Sequence, residues 1–380
     1  PLLLAAESID AVEIPVSGPE INETVPDAGV SYTPAFDDLP EPLEAFRPLH
    51  DNFLYVDVEV IRPAVEPCIK SKAHSLGFQL AGVTTPDPPI HLDVYKQWLE
   101  AGHHAGMGWM STERNLQRRG DPKLILPECQ SILVLGIRYP TPPSVPLVSR
   151  GNTGKVASYA WGDDYHDVLP ERLKAIVTFI EGELGHSIPN RWYTDTGPIL
   201  ERELAQRAGL GWIGKNTCLI HPKAGSYFLL AEIFLGIALP PDPPITRDYC
   251  GSCTRCIEAC PTGCILPNRT IDANRCISYL TIEEKESIPL EFRSRMGNWI
   301  FGCDVCQQVC PWNLRFAVSS DEKRFAPRPE RVHPALIDEL ALTPQEFNRK
   351  FRGSPLKRTK RRGYLRNVAV ALGNAGDQST

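Results

Sequence analysis

Long apolar runs are what this chain most clearly lacks. No stretch of about 18 consecutive apolar residues occurs in its 380 residues, so no membrane-spanning helix and no membrane partner are expected. The opening Pro1-Leu2-Leu3-Leu4-Ala5-Ala6 is too short to read as a secretory signal and lacks the basic start of one; it is the free thiols that point to the cytoplasm. Neither G-x-G-x-x-G nor the Walker A spacing is present, so a nucleotide-binding reading has no support. Basic residues are scarce at the front. Residues 1–66 hold 14 Asp/Glu against only Arg47 and Arg62, a net of −12, so the rest must carry +6 to give the overall −6.

What the chain does have is cysteine in two ordered runs. The first is Cys250-x2-Cys253-x2-Cys256-x3-Cys260-Pro261, and the second is Cys303-x2-Cys306-x3-Cys310-Pro311. The first has the spacing that holds bacterial [4Fe–4S] clusters, in which the fourth Cys ligates the other cluster. The second lacks its opening Cys, because Ile300 stands there. Two clusters need eight thiolates. The runs supply seven, and Cys276 between them is the natural eighth. The swap rule then pairs Cys250, Cys253, Cys256 and Cys310 in one cluster, and Cys260, Cys276, Cys303 and Cys306 in the other. Structural zinc also favours Cys-x2-Cys pairs, but it leaves the third Cys and the following Pro without a purpose. A disulfide framework belongs to small secreted domains. Cys68, Cys129, Cys218 and Cys264 remain over and read as buried free thiols.

Four segments follow from composition and periodicity. Residues 1–52 form an acidic, Pro-rich extension with the composition of a disordered tail. Residues 53–240 alternate helical and strand patterns in an α/β arrangement. Phe53–Val60 reads as a strand, Pro67–Leu80 as a helix, Ser131–Tyr139 as a buried strand and Pro198–Ala208 as a helix. Pro240-Pro241-Asp242-Pro243-Pro244 leads into the cluster segment, 241–315. Residues 316–380 are basic and helical, with the look of the first unit of a HEAT-like repeat. Within them, nine cations and no acid fall in residues 349–366. A solvated face explains most such runs, and a phosphate backbone is the sharper reading.

Other segments are too peculiar to be scaffold alone. Asp195 or Thr196 could simply N-cap the helix begun by Pro198. Arg202 could be an intrahelical ion-pair partner, and His166 a structural histidine. The glycines of 209–217 could turn the chain or admit a large ligand.

Taken together, Gly106–Met110, Tyr159–His166, Tyr193–Arg202, Gly211–Ile220, the cysteine runs and Cys276–Thr281 resemble the epoxyqueuosine reductase family over about residues 67–315, and weakly on to 375. The resemblance implies a cobalamin held base-off on a nitroreductase-like α/β core, a ferredoxin-like domain with two [4Fe–4S] clusters, and kinship with reductive dehalogenases. The substrate it implies is epoxyqueuosine in a tRNA anticodon loop. Matched to the family motif, Asp195 is the general acid, with its pKa raised by burial beneath the corrin. Arg118, Ser158, Arg202 and Ser278 match positions near the corrinoid, although the family can carry Cys just before the Ala-Trp-Gly motif, where this chain has Ser158-Tyr159. Lys285, Arg358, Lys360, Arg361 and Arg362 are candidate tRNA contacts. A monomer served by an electron donor of unknown identity is expected. Two alternatives remain open: a corrinoid reductase of a small organohalide, and a pure electron carrier, which would leave the α/β region unexplained.

Overall fold

The structure, a computed structural model, describes residues 58–141 and 152–376. The acidic extension therefore lies outside the described residues, as does Phe53–Asp57 of the expected strand. The rest of that expectation is corrected. Val58–Val60 is helical, the start of α1 (Val58–Ser75). An alternation of three residues cannot hold a strand without a partner, whereas the helix is anchored further on by buried Ile69 and Ala73, one turn apart.

Four antiparallel strands form the main sheet, in the order β1-β2-β7-β4. These are β1 (Leu80–Thr84), β2 (Ser131–Arg138), β4 (Asn190–Tyr193) and β7 (Phe228–Leu235). β2 and β7 read as nearly continuous apolar runs because both faces of the sheet are covered. On one face α1 and α4 (Tyr165–Leu184) pack against Leu133, Leu135, Ile137, Ala231 and Ile233. On the other, α5 (Glu201–Arg207) sets Leu204 and Ala205 on Ile132, Val134 and Phe234. Gly82 allows this second approach, since a Cβ there would stand 2.1 Å from the Ala208 carbonyl oxygen. Between β1 and β2 run α2 (Leu92–Glu100) and α3 (Glu113–Gly120). Among the described residues no helix is long and apolar enough to cross a membrane.

The cysteine segment is stitched into this body. β3 (Lys155–Val156) pairs in parallel with β8 (Trp299–Phe301). A small hairpin of β5 (Trp212–Ile213) and β6 (Leu219–Ile220) carries the glycine-dense loop. Trp212 there packs against Tyr249 and Trp312, at ring separations of 4.9 and 5.0 Å, beside Cys250 and Cys310. Those glycines thus serve a tight hairpin, where Gly211 lies against the Ile220 carbonyl. α6 (Arg255–Ala259) and α7 (Ile277–Ile282) follow within the cysteine segment.

The last helix, Lys360–Gly376, closes over β8 and α7. Fully buried Asn367 donates to the carbonyl oxygens of Thr281 (2.7 Å) and Ile300 (2.9 Å). Asn367→Ala removes the Ile300 carbonyl's side-chain donor and one of two donors to Thr281, whose carbonyl keeps the Thr359 hydroxyl at 3.0 Å. The expected result is a loss of about 1–3 kcal/mol, read as a lower thermal unfolding midpoint.

Candidate active site

A cleft of about 440 Å³ opens where α4, the loop before α5, α7 and the Pro355–Thr359 turn meet. Asp195, Arg202 and Ser278 line it, together with Arg358 from the basic run. A smaller hollow shares Asp195, Glu201, Arg202 and Ser278 with the cleft and is also lined by Cys276, Cys303 and Cys306. The candidate acid and three candidate cluster ligands therefore line the same smaller hollow.

α4 positions the acid's neighbours. Asp164 caps this helix by accepting the His166 N–H (3.1 Å), which puts Tyr165 and His166 in its first turn. The Tyr165 hydroxyl donates to Asp195 Oδ2 at 2.7 Å. Burial, and then Asp195, push the Tyr165 pKa far up, so this hydroxyl stays a donor. His166 Nδ1 lies 2.8 Å from Asp164, and its Nε2 is 3.7 Å from Asp195 Oδ2. Burial pulls the His166 pKa down, but Asp164 and Asp195 outweigh it and leave the ring more basic than usual.

Asp195 does not cap α5. The N-cap is Leu200, and it contributes no side-chain bond. Instead Asp195 has φ +57°, and its N–H donates to Glu201 Oε1 at 2.6 Å. Its side chain is 43% exposed, so burial of the acid requires something bound in the cleft. Arg202 makes no intrahelical ion pair. It donates to the Thr217 carbonyl (2.6 Å), and burial brings its pKa down to about 10.

Two cofactor candidates stand elsewhere. Ser158 is fully buried, lines neither hollow, and donates its N–H to Asp304 Oδ2 at 2.7 Å, which ties it to the cluster segment. Arg118 lines a minor cavity with Pro89 and Pro122, while its neighbour Arg119 faces the cleft. Arg119 is 8% exposed, its guanidinium lies 5.4 Å from the Tyr95 ring centroid, and its Nη1 has no hydrogen-bond partner. A buried, unpaired cation facing a cleft fits a polar or anionic group of a large ligand.

Two neighbourhoods of thiols surround Cys256 and Cys303. Burial raises the Cys256 pKa to about 11, with Cys250, Cys310 and Cys253 adding to it. Burial also raises the Cys303 pKa, with Cys276 and Cys260 adding to it. Among the described residues no three Cys, His, Asp or Glu side chains converge closely enough for a single metal ion. Of the leftover cysteines, Cys129 is buried as expected and Cys68 is exposed instead, while Cys218 and Cys264 are closer to this chemistry than the sequence suggests. Cys218 hydrogen-bonds Cys306, which lowers its pKa, and Cys264 Sγ lies 3.4 Å from Cys260 Sγ.

The basic run divides by duty. Arg366 donates to the carbonyls of Leu280, Glu284 and Glu286, and Lys350 pairs with buried Glu339, so both are structural. Arg361 donates to the Leu342 carbonyl at 2.7 Å. Lys360 and Arg362 are exposed, and Lys285 is 3.7 Å from Glu283. Arg358 stands at the cleft mouth, 2.6 Å from Glu283 and 5.8 Å from the exposed Trp109 ring.

Known proteins share these parts. Residues 249–313 match a family described as a 4Fe-4S double cluster binding domain, and residues 119–196 match epoxyqueuosine reductase QueG, DUF1730. The epoxyqueuosine reductase of Cyclobacterium marinum is 40% identical over 301 residues, 79% of this chain and 94% of its own length. That of Escherichia coli K12 is 40% identical over 310 residues, 81% of this chain and 80% of its own. A crystal structure of epoxyqueuosine reductase with an epoxyqueuosine-modified tRNA-Tyr stem loop superposes with a TM-score of 0.76 at 34% identity, covering 83% of this chain and 82% of that one. A Bacillus subtilis epoxyqueuosine reductase, with its catalytic aspartate loop swung out of the active site, superposes with a TM-score of 0.75 at 34% identity, covering the same shares. With identities near 40% over about four-fifths of its length, this chain belongs to the epoxyqueuosine reductase family.

Proposed function

We propose that this protein reduces epoxyqueuosine to queuosine in the anticodon loop of tRNA, using a base-off cobalamin on a nitroreductase-like core and two [4Fe–4S] clusters. The observation that carries the reading is the shared lining: Asp195 lines one hollow with Cys276, Cys303 and Cys306, and lines the adjoining cleft with Arg358. Net chemistry at the epoxide is the uptake of two electrons and two protons, with the oxygen leaving as water and an alkene remaining. The corrinoid, when bound, supplies the carbon–oxygen cleavage, and the clusters supply electrons one at a time. Arg119, Arg202 and Ser278, which line the cleft, would hold it.

The protein's own part is to hold and move protons. The Asp195 carboxyl donates to the departing oxygen, and ligands above it exclude water. Tyr165 fixes the Oδ2 end of that carboxyl. His166, made more basic by Asp164, stands 3.7 Å away to return a proton to Asp195. Its 32% exposure connects it to solvent.

The test is anaerobic, reconstituted protein with an epoxyqueuosine stem loop. Loss of one oxygen from the modified base, followed by mass spectrometry, and cobalt in the purified protein are expected. Iron without cobalt and without turnover would leave an electron carrier. Turnover of an organohalide, with the stem loop untouched, would favour the small-molecule alternative. Arg358→Ala is expected to weaken stem-loop binding several-fold and to lower the salt slope by about one, as one lost phosphate contact does. Arg361→Ala removes a hydrogen bond to Leu342 and should leave that slope unchanged.

A further inference from the structure

The Asp195 loop is held from below. Its upstream end is anchored where Thr194 Oγ1 donates to the Leu230 carbonyl at 2.9 Å, and its downstream end by buried Ile199 and Leu200. Between them Asp195 adopts φ +57°, a left-handed region that Asp enters more readily than most side chains but still at some cost. Two hydrogen bonds hold it there. The Glu201 side chain folds back from the first turn of α5 to accept the Asp195 N–H at 2.6 Å. The Tyr165 hydroxyl holds the other end of the residue, its carboxylate.

We propose that Glu201, as a carboxylate, is the latch that keeps Asp195 turned into the cleft, and that protonation of Glu201 releases it. This makes Glu201 a positioning residue, and the idea rests on the reading of Asp195 as the acid. A charged acceptor binds an N–H about twice as strongly as a neutral one, so the proton on Glu201 decides the strength of the latch.

The groups facing Glu201 are Asp195 from its own loop, Arg202 beside it, Arg119 from α3, Tyr165 from α4 and Glu232 from β7. Glu232 is fully buried, and neither of its carboxyl oxygens has a hydrogen-bond partner. Burial, and then Glu201 and Asp195, push the Glu232 pKa far up, so it stays protonated when Glu201 ionises. Burial and Asp195 raise Glu201 itself to about 7. Above that pH the latch is charged and closed; below it, Glu201 is neutral and the loop is loosened. The Bacillus subtilis relative, with its catalytic aspartate loop swung out, shows that such a loop can leave its site.

Hydrogen exchange of the Asp195 amide in the cluster-loaded protein without RNA tests this. After correction for intrinsic rate, protection should fall about tenfold between pH 8 and pH 6, as a charge-assisted bond becomes a neutral one. Glu201→Gln should show the acidic-end protection at both pH values, because its amide oxygen is a neutral acceptor. Glu201→Ala should lose protection throughout. With the modified stem loop, Glu201→Gln should remove the acidic limb of kcat and leave KM and iron content unchanged. If Glu201→Gln keeps the pH-dependent protection, or the parent protein shows none, the latch is wrong. Exchange behaving as expected without epoxyqueuosine turnover would overturn the assigned reaction and leave the latch standing. Should the Ala variant fail to fold, the Gln variant decides the matter alone.

Discussion

Asp195→Asn should retain clusters, corrinoid and stem-loop affinity and lose about 10²–10⁴-fold in kcat, the contribution of one positioned general acid. The substitution keeps the volume of the side chain, and the amide oxygen can still accept from Tyr165. What disappears is the transferable proton. His166 then has nothing to reload, even though its Nε2 remains near position 195. A drop in kcat with KM unchanged, measured on the epoxyqueuosine stem loop, is the expected signature. Full activity in this variant would remove Asp195 from the mechanism. An equal loss in stem-loop binding would recast it as a binding residue.

Cys276→Ala should remove the iron of one cluster, about half of the total, and abolish turnover, because two cubanes share eight thiolate ligands. Cys276 sits at the N-terminal boundary of α7, and Ser278, two residues on, lines the cleft. Losing this ligand therefore disturbs electron supply and the cleft wall together. The other group, Cys250, Cys253, Cys256 and Cys310, surrounds itself and should keep its iron. Unchanged iron in Cys276→Ala would refute the assignment. Cys264, a neighbour of Cys276 and Cys260, is the obvious substitute, so the variant should also be made with Cys264→Ala.

The sequence made some of these groups legible and hid others, for identifiable reasons. Cluster ligands are spaced by short loops, so seven of the eight candidates stand in readable runs. Strand β2 is equally plain, because burial on both faces leaves an unbroken apolar stretch. Glu232 interrupts the apolar run of β7, and only the fold brings it near Glu201. Arg118 and Arg119 differ by one position and hence by about 100° around α3, a rotation that local pattern does not fix. Asp195 looked like a helix cap because its residue type and position suit one. The helix in fact begins at Glu201, whose side chain turns back to support Asp195. Cys218 meets Cys306 across 88 residues, and no spacing rule anticipates that.

The parallel pairing of β3 with β8 has a consequence for biogenesis. Ser158 meets Asp304 across 146 positions, and Lys155 meets Trp299 in the same seam. During synthesis the wall of the cleft stays unfinished until the second cysteine run has left the ribosome. Distant pairings of this kind form late and slowly. The thiols of Cys250–Cys260 therefore leave the ribosome before Cys303, Cys306 and Cys310, so the proposed full set of cluster ligands exists only after the second run has emerged.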